Sequence, residues 1–133
     1  MTLQNAPNMH GLALRSVLDR IRAYCRGWGM ADFAGGSGND TFTGTASGET
    51  ISGGGGNDTL SGAGGNDLIS GDFGDDVLNG DAGDDRLIGG DGSDALNGGI
   101  GNDYLEGGVG DTLNGGDGTD DFYLNLRAMT SAL

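Results

Sequence analysis

A nine-residue repeat runs through about two thirds of this chain and leaves few folds open to it. From Gly35 the sequence cuts into GGSGNDTFT, GTASGETIS, GGGGNDTLS, GAGGNDLIS, GDFGDDVLN, GDAGDDRLI, GGDGSDALN, GGIGNDYLE, the eight-residue GGVGDTLN and GGDGTDDFY, which ends at Tyr123. Column one is glycine in all ten copies, from Gly35 to Gly115. Column four is glycine except at Ser47. Column six is acidic throughout: Asp40, Glu49, Asp58, Asp67, Asp76, Asp85, Asp94, Asp103, Asp111 and Asp120. Column eight is large and apolar: Phe42, Ile51, Leu60, Ile69, Leu78, Leu87, Leu96, Leu105, Leu113 and Phe122. Glycine supplies 31 of 133 residues. Composition alone would read as a flexible acidic linker, but a register kept over ten copies argues for order.

The last three residues of each copy suit a short strand with column eight facing in and its neighbours facing out. The first six must reverse the chain, and glycine permits the backbone angles of such turns. Two copies then make one coil of 18 residues. The ten copies make about five coils, stacked by parallel pairing at ~4.8 Å. Odd copies align Phe42, Leu60, Leu78, Leu96 and Leu113; even copies align Ile51, Ile69, Leu87, Leu105 and Phe122. That core is thin. One apolar side chain per nine residues contributes roughly 1.5–3 kcal/mol, against ~1–2 kcal/mol of backbone entropy for each residue ordered. Stacking also brings like charges together, because residues 35–123 hold 18 acidic residues and one Arg, Arg86. A hard divalent cation between turns would convert that repulsion into ligation.

The pattern G-G-x-G-x-D-x-U-x resembles the RTX family of secreted calcium-binding proteins, over residues 35–123. The resemblance implies an all-β fold, a parallel β-roll stabilised by calcium, with each ion between turn n and turn n+2. Ca²⁺ suits the donors, since it takes six to eight carboxylate and carbonyl oxygens in forgiving geometry, whereas Mg²⁺ holds its waters. The expected carboxylate ligands are Asp40, Asp58, Asp67, Asp76, Asp85, Asp94, Asp103, Asp111 and Asp120, with Glu49 doubtful. Backbone carbonyls of columns two and four complete the expected shell: Gly36, Gly38, Gly54, Gly56, Gly65, Asp72, Gly74, Asp81, Gly83, Gly90, Gly92, Gly99 and Gly101. Ten turns allow up to eight ions, whose charge nearly matches the −17 of the array. Ser47 and Glu49 weaken copy two, and copy nine has lost a residue between Gly110 and Asp111. About six good sites are therefore expected: one–three, three–five, four–six, five–seven, six–eight and eight–ten.

The flanks read differently. Leu14, Val17, Leu18, Ile21 and Cys25 predict a short amphipathic N-terminal helix over residues 11–26, a cap or linker in segment 1–34. A docking surface for an upstream domain and a membrane-surface helix are the alternatives. Residues 124–133 form a tail or cap that could add a closing strand. Its place after the array resembles the uncleaved signal of type I secretion. The start of the chain lacks the pattern of a cleavable signal peptide, so the resemblance implies extracellular export by that machinery.

The net charge of −14 speaks against nucleic acid and anionic membranes as partners. One cysteine and one histidine, Cys25 and His10, leave no zinc cluster. No apolar run approaches a transmembrane length. Neither H-E-x-x-H nor G-x-S-x-G occurs, so the chain reads as non-catalytic. The alternative is an accessory module of a larger secreted enzyme of protease, lipase or alginate-epimerase type. The protein partner stays open.

Overall fold

Alternation across columns seven, eight and nine builds the architecture. The computed structural model describes residues 23–25 and 31–126. The strands are β1 (Ala23–Cys25), β2 (Ala31–Ala34), β3 (Thr41–Thr43), β4 (Thr50–Gly55), β5 (Thr59–Ser61), β6 (Leu68–Phe73), β7 (Val77–Ala82), β8 (Arg86–Asp91), β9 (Ala95–Ile100), β10 (Tyr104–Gly107), β11 (Thr112–Asp117) and β12 (Asp121–Leu124). One sheet runs β1-β2-β4-β6-β8-β10-β12 and the other β11-β9-β7-β5-β3. Successive copies alternate between the sheets, and copies two apart pair in parallel: Ile51 with Ile69 and Ile69 with Leu87, Leu60 with Leu78 and Leu78 with Leu96. This is the parallel β-roll of 18 residues per coil.

The two rows of column eight meet as the core. Ile51, Ile69, Leu87 and Leu105 on one sheet, and Leu60, Leu78 and Leu96 on the other, are buried, with Phe42 and Leu113 packed against them. Phe33 of β2 extends the first row, although it lies upstream of Gly35, and its ring stacks on Phe42 at 4.4 Å. Phe122 departs from the expected row. It stays in register with Leu105 but is 54% exposed. Its strand is the last of its sheet among the described residues, so no following coil covers it.

Most strands are longer than the three residues expected. β6 runs from column seven of copy four to column three of copy five, with Ile69 and Gly71 buried and Ser70 and Asp72 turned outward. Turn residues therefore also pair, Gly54 with Asp72 and Asp72 with Gly90. The N-terminal helix needs correction where it can be compared. Ala23–Cys25 form a strand antiparallel to β2. Backbone pairing covers the edge that β2 would otherwise expose, which outweighs helical periodicity in a three-residue segment. Residues 11–22 and 26 lie outside the described residues, as do residues 127–133 of the tail. Among the described residues no helix is long and apolar enough to cross a membrane.

Candidate metal centre

Each turn delivers its column-six carboxylate to the inside of the stack. Asp40, Glu49, Asp58, Asp67, Asp76, Asp85, Asp94 and Asp103 are no more than 3% exposed. Asp111 and Asp120, in the last coil, are half-buried. One oxygen of each carboxylate is committed to the fold. The backbone N–H of Asp58 donates to Asp76 Oδ1 at 2.7 Å, Asp67 N–H to Asp85 Oδ1 at 2.8 Å, and Asp76 N–H to Asp94 Oδ1 at 2.8 Å. The ladder runs from Asp40 and Glu49 to Asp111 and Asp120 without a gap.

In seven of the ten the other oxygen has no partner. Oδ2 of Asp58, Asp67, Asp76, Asp85, Asp94 and Asp103, and Oδ1 of Asp40, are buried without a hydrogen bond. An unpartnered buried carboxylate oxygen is costly. Burial pushes the carboxyls of Asp58, Asp67, Asp76 and Asp103 above their ordinary value, and neighbouring carboxylates add to the rise. Burial likewise takes Asp85 and Asp94 up to about 6, against the opposing pull of the backbone N–H each accepts. Among the described residues no basic side chain relieves the row. Arg86, the one Lys or Arg among the described residues, lies over the Tyr104 ring at 4.6 Å and 3.8 Å from Glu106.

Column-one glycines shape the space around those oxygens. A Cβ on Gly71 would overlap Asp76 Oδ2 and sit 2.6 Å from the carbonyl oxygen of Gly89 in the next coil. The same holds at Gly53, Gly62, Gly80 and Gly98, each against its own carboxylate and the next coil's carbonyl, at 2.6–2.9 Å from the latter. Glycine is required here by lack of room. Column four needs it for room and for conformation: Gly74 has φ of 127°, and a Cβ there would lie 1.8 Å from the Gly56 carbonyl oxygen. A carboxylate oxygen and a main-chain carbonyl thus share each cradle, a donor set fitted to a hard cation. Among the described residues no three carboxylates converge, so carbonyls must supply much of any shell. The column-one carbonyls that face these cradles were not among the candidates expected from sequence. The column pattern marks these residues only as glycine; the direction of their carbonyls emerges once coils stack.

The named carbonyl residues fall into two groups. Gly54, Gly56, Gly65, Asp72, Gly74, Asp81, Gly83, Gly90, Gly92, Gly99 and Gly101 take positive φ, whereas Gly36 and Gly38 do not. The Gly36 carbonyl accepts the N–H of Gly55 at 2.8 Å. Asp72 and Asp81 hold φ near 74° and 72° despite their side chains. Ser52 and Ser70 hydroxyls donate to Asp72, and the Ser61 hydroxyl to Asp81, which holds both carboxylates on the outer surface.

The irregular copies are also placed. Glu49 reaches the cradle at Gly44 despite its longer side chain, and both its oxygens accept from Thr45, one from the N–H at 3.0 Å and one from the hydroxyl. In copy nine, Asp111 Oδ1 still accepts the N–H of Asp94, at 2.8 Å, while Oδ2 takes the N–H of Gly108 at 2.6 Å. The residue missing there belongs to column five, which carries a second ladder of opposite sense. Asn57, Asp75, Asn66 and Asp84 side-chain oxygens each accept a backbone N–H from the following coil.

The RTX calcium-binding nonapeptide repeat model matches the sequence four times, over residues 28–60, 43–78, 79–111 and 110–126. A search of curated proteins and a search of solved structures each found no match. Matched over most of its length, and built as stacked turns that leave a buried carboxylate oxygen unpartnered in coil after coil, the chain belongs to the RTX calcium-binding nonapeptide repeat family, whose repeats imply calcium binding.

Proposed function

We propose that the chain is a secreted module that folds when several Ca²⁺ ions bind between its stacked turns. The observation that carries this is the row of seven unpartnered carboxylate oxygens. Calcium would supply their missing partner and cancel the repulsion along the row. The residues that would hold it are the carboxylate pairs Asp40–Asp58, Asp58–Asp76, Asp67–Asp85, Asp76–Asp94, Asp85–Asp103 and Asp103–Asp120, with turn carbonyls. That gives about six good sites out of eight positions. Glu49, saturated by Thr45, and the shortened copy nine are the weaker positions.

Extracellular calcium modules bind at about 10⁻⁴–10⁻³ M, so such a chain stays unfolded at cytosolic calcium and folds after export, with binding free energy acting as folding free energy. A roll made of repeats fits a non-catalytic module. Its attachment to a larger secreted enzyme is the second reading and rests on the family resemblance. The test is far-UV circular dichroism during a calcium titration, with calorimetry for stoichiometry. Cooperative gain of β-structure at millimolar calcium, reversed by EDTA, is expected. The same ordered spectrum with and without calcium would defeat the proposal.

A further inference from the structure

Asn-Gly occurs three times, at Asn79–Gly80, Asn97–Gly98 and Asn114–Gly115, always at column nine followed by column one. The three lie on β7, β9 and β11 of the five-stranded sheet. Their side chains face outward, half-buried at Asn79 and Asn97 and exposed at Asn114, whose Nδ2 donates to Asn97 Oδ1 at 2.9 Å. An asparagine followed by glycine is chemically vulnerable, because no side chain hinders attack by the glycine nitrogen on the asparagine carboxamide.

The stack decides which of the three is protected. A column-one amide donates to the column-nine carbonyl of the next coil, as Gly44 N–H does to Ser61 at 2.7 Å and Gly62 N–H to Asn79 at 2.8 Å. β7 lies between β5 and β9, and β9 between β7 and β11, whereas β11 has only β9 beside it among the described residues. Gly80 and Gly98 therefore have a following coil to hold their amides, and among the described residues Gly115 has none. Terminal strands also open at far lower free energy than internal ones.

We propose that Asn114 is a deamidation site of the folded roll, and that Asn79 and Asn97 are latent sites uncovered only when the coils separate. In the reaction the Gly115 nitrogen gives up its proton and bonds to Asn114 Cγ. The Cγ–Nδ2 bond breaks and the nitrogen leaves as ammonia, taking up that proton. One water then opens the five-membered imide at either carbonyl, giving aspartate or isoaspartate with no oxidation or reduction. The product places a carboxylate on an outer face whose column-seven and column-nine positions, in β3, β5, β7, β9 and β11, otherwise carry no ionisable side chain. Loss of the coil thus leaves a permanent chemical record, written at Asn79 and Asn97.

The test incubates the full chain at neutral pH in ¹⁸O-labelled water, in excess calcium, in EDTA and in denaturant. Peptide mapping then scores aspartate and isoaspartate at the three positions. With each rate divided by its own rate in denaturant, Asn114 in calcium is expected to be slowed at least about tenfold less than Asn79 and Asn97. Equal slowing at all three positions overturns the proposal. The EDTA arm rests on the calcium-folding reading. Protection that disappears in EDTA upholds both. Protection that persists there, with Asn114 still the fastest, upholds the site assignment and counts against calcium-dependent folding.

Discussion

Replacing Asp76 by Asn isolates the role of the unpartnered oxygen. Asp76 stands near the middle of the row, is 1% exposed, and uses Oδ1 for the Asp58 N–H while Oδ2 has no partner. Asparagine keeps the acceptor and removes the charge. Without metal, the substitution should stabilise the roll, because a buried charge among like charges disappears. With calcium the sign reverses, because Asp76 belongs to both the three–five and the five–seven pair. At calcium 10–100 times the dissociation constant, each site contributes about 1.4–2.7 kcal/mol. Loss of two sites costs roughly 3–5 kcal/mol, a large part of the ~5–15 kcal/mol typical of a whole domain. Asp76→Ala should cost a further ~1–3 kcal/mol, because the buried Asp58 N–H also loses its acceptor. Calorimetric stoichiometry and thermal melts in calcium and in EDTA measure both arms. A D76N chain with the native ion count and the native calcium midpoint would refute the reasoning.

Three further outcomes are expected. Asp85 and Asp94 titrate at about 6 in the fold against an ordinary 3.8; since the folded values are raised, their contribution to metal-free stability is full below 3.8 and lost as pH rises through about 6. Circular dichroism in EDTA should therefore show β-structure gained on acidification across that window, whereas in calcium acidification should remove it as protons displace the ion. Leu78→Ala empties a fully buried position and should cost about 2–5 kcal/mol in denaturant titrations in calcium, while Phe122→Ala, at a position 54% exposed, should cost under about 1 kcal/mol. Gly71→Ala should block calcium-induced folding, because its Cβ meets Asp76 Oδ2 and the Gly89 carbonyl; Gly38→Ala, with nothing within 4 Å, should change the calcium midpoint little.

The inward positions were legible in the sequence because one column repeated is one environment repeated. Leu60, Leu78 and Leu96 sit where a period of 18 puts them, and so do Asp58, Asp76 and Asp94. What the columns hide belongs to the ends and to the backbone. Phe33 lies in a stretch with Ala31 where column six would be acidic, so only its apolar ring continues the pattern. Ala23–Cys25 follows the needs of a neighbouring strand edge, which local periodicity does not encode. Phe122 fits its column and lacks a following coil among the described residues. Glycine in column one and glycine in column four look alike as letters, yet Gly71 answers to crowding alone and Gly74 to crowding together with a φ of 127°.

The missing residue of copy nine shows how such an array ages. Within a strand, loss of one residue would turn every later side chain over. Here the loss falls at column five, so Leu96 still faces Leu113 and Asp94 still reaches Asp111. Slippage during copying is thus filtered by position: turns absorb it and strands do not. Gain or loss of a whole nonapeptide is milder still for the interior, since both sheets present the same inward columns. It would, however, exchange the outward residues of every downstream copy between the two faces. A lineage of such chains can redraw its surface by counting, with no change to what it hides.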